Sequence, residues 1–150
     1  MYKKILVPLD GSELCANALE PAEELARLAG AEIILYHVVP HATIYTDKEG
    51  SFCDFCEPDQ SQQSVVEKYL SRKRDDLQAK GVKASFAIEM GENPARKIVD
   101  FAKRNLISLI VLTTHGRSGF THLFMGSVAE KVAREGSEYS SVLIERCQKC

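Results

Sequence analysis

The stretch "THGRSGFTHLFMGS", residues 114–127, places Gly116, Arg117, Gly119, Gly126 and Ser127 within one short span. Glycines let backbone amides approach a ligand with no Cβ in the way, arginine supplies a permanent charge and serine a hydroxyl, a combination that suits phosphate. The same residues equally suit two turns between a strand and a helix, and local pattern does not choose between these readings. Asp10, in "LDGS", either binds a ribose or a metal or caps the helix that follows. Two cysteine pairs remain, "CDFC" (Cys53, Cys56) and "CQKC" (Cys147, Cys150). Thiolates with two intervening residues can point at one tetrahedral ion, so the four sulfurs suit zinc or iron; a redox dithiol and incidental thiols are the competing readings. His115 has no partner visible in sequence for general-base work and reads as a turn histidine. Cys15 reads as buried packing, and Phe120, Leu123 and Phe124 as one apolar face of a short helix.

These residues depend on the elements that carry them. "KKILVPL", residues 3–9, is the continuous apolar run of a strand buried on both faces, closed by the turn "DGS". From Ser12, an N-cap, apolar residues recur at helical spacing to Gly30, with Pro21 inside the pattern where it must kink or interrupt the helix. "EIILYHVV", residues 32–39, is a second buried strand. Residues 40–60 lack any period and are long for a connection, whereas a helix resumes near Gln62 with Val65, Val66, Tyr69, Leu70 and Leu77 on one face, stopping near Gly81. "VKASFAIEM" is a partly exposed strand, Asn93 and Pro94 open a further helix, and "SLIVLTT" is a fully apolar strand. "SVAEKVARE" is the last helix, "GSEYSS" a loop, and "VLIE" the last strand. Strand and helix alternate throughout, which requires parallel strands joined by right-handed crossovers in a single α/β domain. In such sheets ligands lie beyond the carboxyl ends of the strands, where the strand order reverses.

A chain of 150 residues can bury a full core as one domain, and 45% hydrophobic with 27% charged residues is an ordinary globular balance. The formal net charge of -2 gives no electrostatic reason to expect nucleic acid or an anionic membrane. The start, "MYKKILVPLD", lacks the apolar core of a signal peptide, and five cysteines without an export signal favour a reducing cytoplasm. No glycine-lysine-serine/threonine P-loop step occurs, and the first strand leads into "DGSELC" rather than a dinucleotide fingerprint.

In its "ILVPLDGS", its "ILYHVV" and its "THGRSGFTHLFMGSVAEKV", the chain resembles the universal stress protein family, in order and position over essentially its whole length. The ATP-binding branch of that family carries glycine, two residues, glycine, nine residues, glycine and serine or threonine. Gly116, Gly126 and Ser127 match, while Thr113 stands at the first glycine position. The resemblance implies a Rossmann-like three-layer sandwich whose five-stranded parallel sheet has the order 3-2-1-4-5, as in adenine nucleotide alpha hydrolase-like folds. It implies one domain over residues 1–150, with a loop insertion at 40–60 and a tail at 146–150, paired as a homodimer through the last strand. Pro8 and Asp10 would line the adenosine side, Val38 would approach the adenine, and Gly116, Gly126, Ser127 and Val128 would hold the triphosphate of ATP, with or without magnesium. Arg117 adds a charge there. Thr113 either crowds the nucleotide with its β-branch or offers it a hydroxyl.

Two functions from different classes follow. The first is a cytoplasmic, nucleotide-responsive regulatory homodimer; the pattern supplies no paired acid and base and no activated nucleophile, so any ATP hydrolysis is expected to be slow. The second is a stress-type domain with a lapsed nucleotide site, acting as a metal- or redox-responsive interaction protein through its cysteine pairs. A nucleotide-dependent transferase on a related fold is weaker, because the first strand is not followed by a glycine-rich phosphate loop.

Overall fold

The computed structural model of the chain describes residues 1–40, 60–114 and 125–145. The apolar runs form β1 (Lys4–Pro8), β2 (Glu32–Val39), β3 (Ala84–Met90), β4 (Leu109–Thr113) and β5 (Ser141–Glu145). All neighbouring strands pair in parallel, in the order β3-β2-β1-β4-β5. The helices are α1 (Glu13–Ala16), α2 (Leu19–Ala29), α3 (Gln60–Ala79), α4 (Pro94–Arg104) and α5 (Ser127–Gly136). This is the expected α/β sandwich and the expected strand order.

Strand side chains alternate between faces, so a strand covered on both sides must be apolar at every position. Ile5, Val7, Ile33, Leu35, Leu109 and Val111 pack with Ala18, Ala22 and Ala26 along α2 and with Leu70 and Leu77 of α3. The alternate residues Leu6, Ile34, Tyr36, Ile110 and Leu112 pack against Ile98 and Phe101 of α4 and Val132 of α5. Two cores therefore sandwich one sheet. At the amino ends of the strands Ser108 locks the layers: its hydroxyl accepts from the amides of Lys3 (2.9 Å) and Lys4 (3.1 Å), and its own amide donates to the Lys4 carbonyl (3.0 Å).

Three local outcomes refine the sequence reading. The single helix expected from Ser12 to Gly30 is two helices, because Pro21 offers no amide to the carbonyl four residues back and its ring would collide with that carbonyl. The chain breaks between Ala16 and Leu19, and Pro21 becomes the third residue of α2, inside a first turn that needs no such bond. Val65, expected on the buried face of α3, is 65% exposed, while Leu70 and Leu77 carry the contact with the sheet. At α4 the expected cap forms: the Asn93 side chain accepts from the Arg96 amide (3.1 Å), with Pro94 in the first position. Among the described residues no helix is long and apolar enough to cross a membrane.

α4 is tied to β3 by Glu89, which meets Arg104 Nη2 at 2.6 Å and Lys97 Nζ at 3.7 Å. Burial alone would raise the Glu89 pKa, but the Arg104 hydrogen bond, that of Tyr36 and the neighbouring positive charges outweigh it and hold the carboxyl below its ordinary range. α4 ends through Leu106, which takes a left-handed φ of 53° while the Ile107 amide reaches back to the Ala102 carbonyl at 2.9 Å. A leucine here is strained, and it is 82% exposed, so its side chain gains little in return. Leu106→Gly is expected to stabilise the fold by about 0.5–1 kcal/mol, raising Tm by about 1–4 °C in a thermal melt. A lowered Tm would mean that the leucine side chain, not its backbone, dominates this turn.

Candidate functional site

β1 is the centre of the sheet and also the point where strand order reverses, since β2 and β3 lie on one side of it and β4 and β5 on the other. Its ladder to β4 is short, pairing Ile5 with Leu109 and Leu6 with Ile110. Pro8 suits this early end. The Leu9 amide donates to the Tyr36 carbonyl in β2 at 2.8 Å, so the alternation of the strand turns the Pro8 nitrogen toward β4, where it has no hydrogen to give. On its other edge β1 stays paired as far as Pro8 opposite Tyr36. The sheet thus opens on one side of β1 only.

A pocket of about 370 Å³ occupies that opening. Pro8 and Asp10, at and just past the end of β1, line it between Val38 and Pro40 on the β2 side and Thr113, Gly126, Ser127 and Val128 on the β4 side. All but Pro40 are singled out by the sequence for a nucleotide, so seven of those nine residues are drawn together from three strands and a helix; the other two, Gly116 and Arg117, lie outside the described residues. Gly126 precedes the first residue of α5, with its own amide donating to the Thr114 carbonyl at 2.6 Å. The first amides of α5 therefore border the pocket, and the positive end of the helix dipole favours an anion there.

Asp10 has the turn role weighed for it: its Oδ1 accepts from the Ser12 amide at 2.8 Å, with Gly11 at a φ of 85° that suits glycine. Ser12 in turn accepts from the Cys15 amide at 3.2 Å, the cap expected at the start of the first helix. The Asp10 turn also sets its residue in the pocket wall. Just before it, buried His37 holds the end of β1 through Nδ1, which donates to the Leu9 carbonyl at 2.7 Å; a carbonyl can only accept, so this nitrogen carries the proton.

Thr113, the departure from the glycine signature, is only 5% exposed. Strand alternation puts its side chain on the same face as Leu109 and Val111, the face covered by α1, α2 and α3. There its hydroxyl donates to the Cys15 sulfur at 4.0 Å. Cys15 itself corrects an expectation: it is half-buried and lines the pocket rather than serving only as packing. Glu92, on the loop after β3, and Tyr36 also line it, and neither stood out in the sequence. A signal for Glu92 existed, because "GENP" follows the carboxyl end of a strand, where this fold binds ligands. Cys53, Cys56, Cys147 and Cys150 lie outside the described residues, as do His115, Phe120, Leu123 and Phe124. Among the described residues no group of three or more histidines, cysteines or acids is arranged to hold a metal ion.

The family model of the universal stress proteins matches residues 1–138. The chain is 33% identical over 141 residues to universal stress protein YxiE of Bacillus subtilis, covering 89% of this chain and 93% of that one. It is 31% identical over 135 residues to universal stress protein MJ0531 of Methanocaldococcus jannaschii, covering 89% and 77% of the two chains. The solved structure of MJ0577 aligns with a TM-score of 0.76 at 26% identity, over 100% of this chain and 99% of that one. A universal stress protein solved in complex with cAMP shares the fold, with a TM-score of 0.71 at 21% identity and coverage of 98% of each chain. So does one from Archaeoglobus fulgidus in complex with dAMP, with a TM-score of 0.67 at 23% identity, over 95% of this chain and 97% of that one. The chain belongs to the universal stress protein family.

The Cys15 thiol is held above the ordinary cysteine range, first by burial and then by the neighbouring Asp10 carboxylate. Its native state therefore keeps a proton that an unfolded thiol loses above about pH 8.5. The stabilisation is present in full below that pH and is lost as pH rises through the raised value. Iodoacetamide labelling of Cys15, followed by peptide mass spectrometry, is expected to be slower than that of a free thiol at pH 8, accelerating only at higher pH. Labelling at the rate of a free thiol would contradict this environment.

Proposed function

We propose that this protein binds an adenine nucleotide, ATP in particular, in the pocket at the carboxyl ends of β1 and β4. The observation that carries the reading is the meeting, in one opening of the sheet, of an apolar wall from β2 with the amino end of α5. Val38 and Pro40 suit a flat, apolar base, Asp10 between the two walls suits a ribose, and the first amides of α5 suit phosphate. A pocket of about 370 Å³ lies within the usual range for small-ligand sites, about 300–1,000 Å³. The related structures solved with cAMP and dAMP support the same ligand class.

In this reading Pro8, Asp10 and Val38 hold the nucleoside, while Gly116, Gly126, Ser127 and Val128 hold the phosphates with help from Arg117. Thr113 does not obstruct them, because its hydroxyl and β-branch are turned toward Cys15. The protein works by binding: nucleotide occupancy changes the state of a regulatory homodimer, and hydrolysis is slow. The dimer forms through β5, which among the described residues pairs only with β4 and presents a free edge with half-buried Val142, Leu143 and Ile144.

Calorimetric titration with ATP, with and without magnesium, is expected to give saturable heat below millimolar nucleotide, and sedimentation a species of twice the 16.7 kDa chain mass. A folded protein that yields no heat at millimolar ATP would refute the reading. Gly126 has φ -60° and ψ 153°, a conformation open to any residue, so a side chain there costs the backbone little. Gly126→Val should therefore leave Tm and the dimer unchanged while abolishing ATP binding, because its branch would occupy the phosphate approach. Unchanged affinity in that variant would place the phosphates elsewhere.

A further inference from the structure

The β1–β4 pairing ends at Leu6 and Ile110, short of the carboxyl ends of the two central strands. Side chains and a helix span them there. The Thr113 hydroxyl at the end of β4 donates to the Cys15 sulfur. Cys15 in turn donates its amide to the Ser12 hydroxyl, and the Ser12 amide donates to the carboxylate of Asp10, just past the end of β1. A continuous chain of polar contacts therefore runs from one strand end to the other, through a residue of α1.

We infer that Cys15 is a positioning residue of the pocket: with Thr113 and Asp10 it forms a strap across the switch point that closes the α1 side of the crevice and confines the ligand to the α4–α5 side. Three observations converge on this. The pocket walls that come from helices beyond the strap, Pro94, Ile98, Val128 and Ala129, belong to α4 and α5. Cys15, Thr113 and Asp10 all line the same pocket. Behind the strap Tyr69 of α3 packs on the same core cluster as Cys15, with its hydroxyl buried.

The strap also accounts for threonine where the signature has glycine. A glycine would leave Cys15 without its hydroxyl donor and the α1 side of the crevice open. Threonine and cysteine act here as a matched pair, and their contribution should be shared rather than additive. The inference rests on the nucleotide reading for its ligand, but its internal coupling does not.

The test is a double-mutant cycle on Cys15→Ala and Thr113→Val, read both by melting temperature and by ATP calorimetry. Each single change is expected to weaken ATP binding about three- to tenfold, the scale of one lost hydrogen bond. The double variant should be no weaker than the worse single one, and Cys15→Ser, which keeps a donor and an acceptor, should stay within about twofold of the wild type. Saturating ATP should also slow iodoacetamide labelling of Cys15, a readout that a purely structural role would not move. Additive melting shifts would overturn the strap, and so would lowered Tm with unchanged ATP affinity in Cys15→Ala. If the wild-type protein binds neither ATP nor AMP, the nucleotide reading falls while the melting cycle still decides whether the strap exists.

Discussion

The arrangement of this protein turns on a hydrogen atom that Pro8 does not have. In the middle of a parallel sheet every strand is expected to pair on both edges, and a proline there removes a rung. Here the lost donor faces β4 at the level where the ladder between β1 and β4 has stopped, while the other edge of β1 stays paired to β2 as far as Pro8 itself. An ordinary residue at this position would point an amide into the opening, and a buried amide without a partner costs about 1–3 kcal/mol. Proline leaves nothing to satisfy. The sheet can part at its switch point without an orphaned donor on that edge, and the pocket occupies the parting.

Everything that flanks the opening is held by contacts made elsewhere. Ser108 pins β1 to β4 at their amino ends, so the strands diverge from a fixed hinge rather than sliding apart. The His37 side chain and the Tyr36 carbonyl hold Leu9, and the Asp10–Ser12 turn directs the chain into α1. On the far side, α5 packs through Ala129 and Val132 onto the same apolar cluster as α4, which fixes its amino end against the pocket. The two cores on either face of the sheet therefore do more than stabilise the domain. They set the opening width and aim one helix end into it.

The break between α1 and α2 belongs to the same logic. Pro21 forbids a continuous helix, and the short α1 that results is free to lie at its own angle, bringing Cys15 over the end of β4. A sequence pattern sees the proline and predicts a kink. It cannot see that the kink brings a thiol to a hydroxyl 98 residues away.

Much of the architecture was legible in the residue order. Uninterrupted apolar runs at β1, β2 and β4 announced strands buried on both faces, the Asn93–Pro94 step announced the start of α4, and alternation with helices required a parallel sheet. The glycine-serine step ahead of the last helix and Asp10 after the first strand were legible as candidate ligand residues because their chemistry is local. Cys15 and Tyr36 were not, since each owes its place in the pocket to a neighbour distant in sequence. Val65 misled for a related reason: helical spacing describes a face but not how far along the helix that face meets the sheet. The sequence by itself determined which segments are buried, where the chain must turn and which residue types could meet a phosphate, because propensity, periodicity and turn chemistry act over a few residues. Only the tertiary structure decided that Pro8 faces β4, that Thr113 turns toward Cys15 and that one side of the crevice is closed, because strand register and helix packing are set by contacts across the whole fold.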